Sequence, residues 1–228
     1  MGTIAANLQG LRSRMALAAR ACGRSSEEIV VVAVSKTFAA ERVAEAHAAG
    51  QSTFGENRVQ EAVTKITELS DLALEWHFIG PIQANKTRPI AEHFQWVHTI
   101  EREKIAVRLN EARPEGSPPL EVCIQVNVSG EASKSGVAPG EEIALAQAIS
   151  RLPRLRLRGL MAIPEPTPDP ALQRRRFALL RKIKDRLAAQ GYPLDTLSMG
   201  MSDDLEAAIA EGATMVRVGT AIFGPRNR

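Results

Sequence analysis

The segment IVVVAVSKTFAAERVAEAHAAGQSTFGEN (29–57) holds an apolar β-branched run, a helical pattern and a second short run. That is the order of a strand, a returning helix and a parallel strand. The helical part, AAERVAEAHAAG (39–50), closes on Gly50, where a C-cap belongs. Outward from this unit the same alternation continues almost from end to end. Further runs read as strands are LEWHFIG (74–80), WVHTI (96–100), LEVCIQVNV (120–128), LRGLMAI (157–163), TLSMGM (196–201) and MVRVGTA (215–221). The first four run starts, counting 29 and 52, lie 23, 22 and 22 residues apart, the period of one strand plus one helix. Further helical patterns are GEEIALAQAIS (140–150) and LQRRRFALLRKIKDRLAAQG (172–191), with Gly191 and Gly212 as additional closing glycines.

Eight strands joined by helices require a parallel sheet, either closed or open. No Gly-x-Gly-x-x-Gly turn follows an early run, so an open dinucleotide-binding sheet has no support. The sequence therefore predicts an α/β fold, a (β/α)8 TIM barrel forming one domain over 1–228. The chain stops at Asn227-Arg228, directly after the eighth run, while a helical pattern at 3–22 is spare. That extra N-terminal helix is predicted to cover the place of an eighth one. The proline-rich IPEPTPDPA (163–171) reads as a rigid loop after the sixth strand, not a domain boundary.

Composition narrows the class. At 228 residues, 44% apolar and 24% charged, the chain is an ordinary globular protein able to bury a core without staples. Cys22 and Cys123 form no Cys-x-x-Cys motif or disulfide framework, which suits a reducing cytoplasm. The N-terminus reads as an amphipathic helix, not a transit peptide, and no run approaches the roughly 18 apolar residues of a membrane span. A formal charge of +3 is too small to argue for nucleic acid. No His, Cys or carboxylate cluster has metal-ligand spacing.

A barrel of this kind builds its site at the carboxyl ends of the strands. Lys36 ends the most apolar run. It is either a lysine where a strand meets water, or an amine partly desolvated at the barrel mouth and suited to Schiff-base chemistry. Near the end of the chain, SMGM runs into SDDLEAAIAEG (202–212), a short helix with Ser202 or Asp203 as N-cap. Gly200 admits a close ligand, and a helix start offers N–H groups to an anion, although Asp203 and Asp204 would repel one unless they point away. On the next strand Gly219 and Thr220 could supply an amide and a hydroxyl. Arg217, between Val216 and Val218, must be paired if buried, either with a carboxylate such as Glu56 or against a ligand's ring nitrogen.

The stretches VAVSKTF (32–38), FGENRVQEA (54–62), WHFIGPIQANK (76–86), VNVSGEASKSG (126–136), GLMAI (159–163), LSMGMSDDLEAAI (197–209) and VRVGTAIFG (216–224) occur together in order. As a set they resemble the pyridoxal phosphate homeostasis protein family, itself similar to the barrel domain of alanine racemase. The resemblance implies that pyridoxal 5′-phosphate is held as a Schiff base on Lys36 and lined by Asn57. It also implies a phosphate bound by Ser202, Gly219 and Thr220, and a pyridine nitrogen faced by Arg217. The chain departs from the family pattern at Ala84, where a serine is expected, and at Arg58, where an aromatic is common.

The rival reading is an amino-acid racemase of the alanine racemase type. In that enzyme the second acid–base group is a tyrosine from a second domain of a partner subunit. Here the sequence ends with the barrel, and its one tyrosine, Tyr192, lies in a loop entering the seventh strand, at the amino-terminal face. His77 and His98 read as structural. The expectation is a monomeric carrier of the cofactor, passing it to apo pyridoxal enzymes, without robust catalysis. A third class is an RNA- or phosphate-rich partner, suggested by RLPRLRLRG (151–159) and QRRRFALLRKIKDR (173–186). The second reads as a solvated helix with Phe177, Leu180, Ile183, Lys184 and Leu187 on or beside one stripe, and arginines 154, 156 and 158 have no account from sequence.

Overall fold

The computed structural model describes residues 3–131 and 135–225. The apolar run at 29–35 forms β1 (Val30–Val34), followed by α2 (Ala40–Ala48) and β2 (Thr53–Glu56); α1 (Ile4–Ala21) precedes them. The alternation continues through α3 (Val59–Glu68), β3 (Glu75–Phe78), α4 (Thr87–His93), β4 (Trp96–Ile100), α5 (Glu103–Ala112) and β5 (Leu120–Gln125). It closes with α6 (Glu142–Ile149), β6 (Leu155–Met161), α7 (Pro170–Ala189), β7 (Thr196–Ser198), α8 (Leu205–Ala210), β8 (Met215–Val218) and α9 (Thr220–Phe223). All eight strands are parallel, in sequential order, and close into a barrel, β8 pairing back to β1 with Val30 opposite Met215. The predicted (β/α)8 barrel with an N-terminal helix is the observed fold.

α1 buries Ile4, Leu8, Leu11, Met15 and Ala19, a stripe at helical spacing. It packs on α2, α8 and α9. The Asn7 amide donates to the Ile222 carbonyl at 2.8 Å, and Arg12 donates to the Gly50 carbonyl at 2.9 Å. The spare helix thus covers the seam of the barrel, as its position in the sequence predicts. The expectation about Asn227 and Arg228 lies outside the described residues.

Three boundaries differ from the sequence reading. β7 ends at Ser198, and β8 ends at Val218 because the Gly219 carbonyl accepts from the Ile222 and Phe223 amides, which starts α9. Gly219 and Thr220 therefore belong to a helix start and not to a strand. β6 begins two residues early, at Leu155, and this accounts for the alternating arginines. Arg156 pairs with Glu121 at 2.8 Å, and Arg158 pairs with Asp195 at 2.6 Å while lying 5.1 Å from the Trp96 ring centroid. The Arg154 guanidinium donates to the Arg113 carbonyl. These side chains close the amino-terminal mouth of the barrel with charge pairs. On α7 the stripe Phe177, Leu180, Ile183 and Leu187 is buried, as the spacing predicts.

Most apolar residues pack between strands and helices. Inside the barrel Val32, Trp96, Cys123, Met161 and Met215 form a separate small cluster. Because side chains alternate across a strand, Glu75 and His77, Trp96 and His98, and Met215 and Arg217 share the inward faces of their strands. The barrel interior is therefore part apolar and part polar.

Candidate functional site

A cleft of about 580 Å³ opens at the carboxyl ends of β1 and β8 and under the β7–α8 loop. It brings together Lys36, Ser202, Arg217, Gly219 and Thr220, five of the six site residues expected from sequence. Asn57 is not among its lining residues. It lies one strand over, at the end of β2, with its side-chain oxygen buried and without a hydrogen-bond partner.

The placement of Lys36 follows from a turn. The Phe38 amide donates to the Ser35 carbonyl at 3.1 Å, so Lys36 and Thr37 are the turn's two central residues. Thr37 has φ 71°, a conformation that turns of this kind usually give to glycine. Ser35 is anchored from below. Its hydroxyl donates to Glu56 Oε1 at 2.6 Å, and Lys65 Nζ donates to the Ser35 carbonyl at 3.0 Å and to the same Glu56 oxygen at 2.5 Å. Glu56 and Lys65 are both buried, so this ion pair fixes the end of β1 against β2 and α3. Phe38 then stacks on Phe223, ring centroids 4.9 Å apart, and walls one side of the cleft.

The opposite wall is the β7–α8 loop. Gly200 has φ 94°, and a Cβ there would sit 2.5 Å from Ala208 Cβ, so only glycine lets the loop lie this close to α8. The N-cap of α8 is Asp204, in place of the expected Ser202 or Asp203. Its carboxylate reaches back and accepts from the Met201 amide at 2.6 Å, an interaction local to the loop. Burial raises the Asp204 pKa, and Asp203 is exposed at the rim. Across the cleft, Gly219 lies against β1, where a Cβ would come 3.1 Å from the Val34 carbonyl oxygen. The first amides of α9 have no partner within that helix.

Sequence reasoning missed Arg14. It reaches from α1 into the cleft wall, where its guanidinium clasps both carboxylate oxygens of Glu206 and donates to the Ser202 carbonyl at 2.8 Å. The Glu206 hydrogen bond raises the Arg14 pKa, and the Glu206 pKa falls in return. The two residues are 192 positions apart, so no local spacing could have paired them.

Arg217 is buried and, among the described residues, makes no bond to Glu56 or to another carboxylate. One terminal nitrogen donates to Ser198 Oγ at 2.7 Å and the other to the Ala162 carbonyl at 2.9 Å. Burial lowers its pKa to about 10, so it remains a cation near neutral pH. Beneath it, the inward histidines bond to each other, His77 Nδ1 lying 2.8 Å from His98 Nε2. A larger cleft of about 1000 Å³ lies beside the site, between α1, the proline-rich loop and α8, but it contains no lysine. Among the described residues no His, Cys and carboxylate cluster is placed to hold a metal ion, and no helix is long and apolar enough to cross a membrane.

The alanine racemase N-terminal domain family matches residues 4–227. The pyridoxal phosphate homeostasis protein of Pseudomonas aeruginosa is 63% identical over 227 residues, covering 100% of this chain and 97% of that one. The chain belongs to this family. Among solved structures, PipY of Synechococcus elongatus with pyridoxal phosphate bound has a TM-score of 0.86 at 38% identity, covering 97% of this chain and all of that one. Alanine racemase of Corynebacterium glutamicum has a TM-score of 0.72 at 18% identity, and the match spans 61% of it. That second likeness is one of fold. Family membership agrees with the expectation drawn from the seven sequence stretches.

Proposed function

We propose that the protein binds pyridoxal 5′-phosphate in the β1–β8 cleft and serves to hold and supply the cofactor. The observation that carries this is one cleft with an amine on one side and an anion-sized set of donors on the other. Lys36 is the amine. Ser202, Gly219 and Thr220 provide hydroxyls and amides at a helix start, the chemistry that holds a phosphate. The residues fit the group in a further way, since Asn57 keeps a buried oxygen without a partner, a cost that a ligand donor would offset. When bound, the cofactor supplies an aldehyde that condenses with an amine, with loss of water, and a ring that can accept electrons.

The protein's own groups set how far that chemistry runs. Arg217 has only donors, so it would bond an unprotonated ring nitrogen and could not hold a proton on it. Such a ring is a weaker electron sink than one facing a carboxylate. A racemase also needs an acid–base group on each face of its substrate. Tyr192 lies in the loop between α7 and β7, about a strand length from the cleft. His77 and His98 are inside the barrel and bonded to each other. These placements support a carrier over a racemase. The protein is read as a monomer acting in the cytoplasm, with apo pyridoxal enzymes as recipients.

The test is an absorbance spectrum of the protein loaded with pyridoxal phosphate, then borohydride reduction and peptide mapping. A visible band and a label on Lys36 are expected. A label on Lys86 or Lys134, or a band retained by Lys36→Ala, overturns the assignment.

A further inference from the structure

Arg217 is the upper end of a hydrogen-bonded column that runs through the barrel interior. Its terminal nitrogen lies 2.7 Å from Ser198 Oγ, which lies 2.8 Å from His98 Nδ1. His98 Nε2 lies 2.8 Å from His77 Nδ1, and His77 Nε2 lies 2.7 Å from Glu75 Oε1. Ser198, His98 and His77 are fully buried, whereas the Glu75 side chain is 46% exposed at the amino-terminal mouth. Four strands contribute, β3, β4, β7 and β8, so the column crosses from one mouth of the barrel to the other.

Its direction is fixed by its ends. A guanidinium can only donate and a carboxylate can only accept. Ser198 Oγ accepts from Arg217, and because the Glu75 carboxylate takes the His77 Nε2 proton and both rings are neutral, the Ser198 proton goes to His98 Nδ1. That leaves His98 neutral with its proton on Nε2, donating to His77 Nδ1, and His77 in turn donates from Nε2 to Glu75. The reverse arrangement of two neutral rings would set two acceptors, the His77 Nε2 lone pair and the Glu75 carboxylate, against each other at 2.7 Å. Burial lowers the pKa of both histidines, His98 most strongly, with His77 and Arg217 adding to the effect. The other groups facing the column are Cys123 and Asp204 near Arg217, Arg158 near Glu75, and Trp96, whose ring stacks on His77 at 5.3 Å.

We propose that Glu75, His77, His98 and Ser198 are positioning residues, a one-way chain of hydrogen bonds that orients the Arg217 guanidinium towards the ligand's ring. The proposal rests on the reading that Arg217 meets the pyridoxal ring. Among the described residues two of the five N–H groups of Arg217 find acceptors, both through the terminal nitrogens, which leaves donors for a ligand. Glu75 acts on that ligand from the far mouth without touching it.

The experiment has two arms. In the first, long-range proton–nitrogen spectra of the ligand-free protein read both imidazoles. Both should be neutral with the proton on Nε2, and Nδ1 protonation or a charged ring near neutral pH overturns the chain. In the second, pyridoxal phosphate is titrated into the parent and into Ser198→Ala, Glu75→Ala and Glu75→Gln, with thermal unfolding confirming that each is folded. Ser198→Ala should bind about threefold to tenfold more weakly, the loss of one bond that orients a charged donor. It should also shift the visible band. Glu75→Ala should shift the band the same way by less, and Glu75→Gln, which keeps an acceptor oxygen, should restore it. Spectra identical to the parent in both alanine variants overturn the proposal while leaving the cofactor site standing. A parent that develops no band overturns the cofactor reading and with it the link from the chain to a ligand.

Discussion

A β-branched residue in the left-handed region costs about 1–2 kcal/mol, and Thr37 holds that conformation directly after Lys36. The strain is tolerable because the Ser35–Glu56–Lys65 cluster below and the Phe38–Phe223 stack beside it fix both ends of the turn. Thr37→Gly should therefore raise stability by about 1 kcal/mol in urea unfolding; a loss of stability would mean that the threonine makes contacts outweighing its backbone cost. Ser202 and Thr220 carry the phosphate in our reading, so each alanine variant should weaken pyridoxal phosphate binding by about 1.5–3 kcal/mol. Unphosphorylated pyridoxal should bind poorly and respond little to either change. Equal titration curves for parent and both variants would place the phosphate elsewhere. At this scale periodicity was enough to bring Lys36, Ser202, Gly219 and Thr220 to one end of the barrel, where they line one cleft, because each follows the end of a strand. The sequence was a poor guide to the partners of Arg217, because a hydrogen bond to Ser198 and to a main-chain carbonyl leaves no compositional trace.

The elements themselves were legible where their pattern is long. Eight apolar runs gave eight strands, and Gly50, Gly191 and Gly212 all have positive φ where helices close. The misread boundaries of β6 and β8 have different causes. β6 starts with Leu155-Arg156-Leu157-Arg158, where arginines stand in a strand because charge partners from β5 and the β7 entry meet them, and those partners are distant in sequence. β8 yields to α9 at Gly219 through main-chain bonds that no side chain announces. The β7–α8 element makes the sharpest test. Gly200→Ala places a Cβ 2.5 Å from Ala208 at a φ of 94°, so it should cost at least about 2 kcal/mol of stability. Adding Ala208→Gly should recover the part of that loss due to the clash and not the part due to φ. A Gly200→Ala variant as stable as the parent would show that the loop has room to move.

For the molecule as a whole, the carrier reading predicts the absence of useful turnover. Chiral analysis of alanine, serine and other amino acids after long incubation should find conversion far below about 1 per second, the low end of ordinary enzyme turnover. A rate at or above that level would make racemase the better description. Loaded protein mixed with an apo pyridoxal enzyme should restore that enzyme's activity faster than the same amount of cofactor leaving Lys36 into buffer alone; no difference between the two would argue against direct supply.

The grip of α1 on α8 and α9 has a consequence for how the chain is made. The helix is synthesised first, yet its apolar stripe of Ile4, Leu8, Leu11 and Met15 is covered by segments around residues 205–223. At roughly 5–20 residues per second, translation leaves that stripe without its partner for about 10–40 s. During this interval the nascent chain presents a greasy helix with only α2 to dock on, and the β1 edge waits as long for β8. The seam between β8 and β1 thus cannot close until the eighth strand has been made.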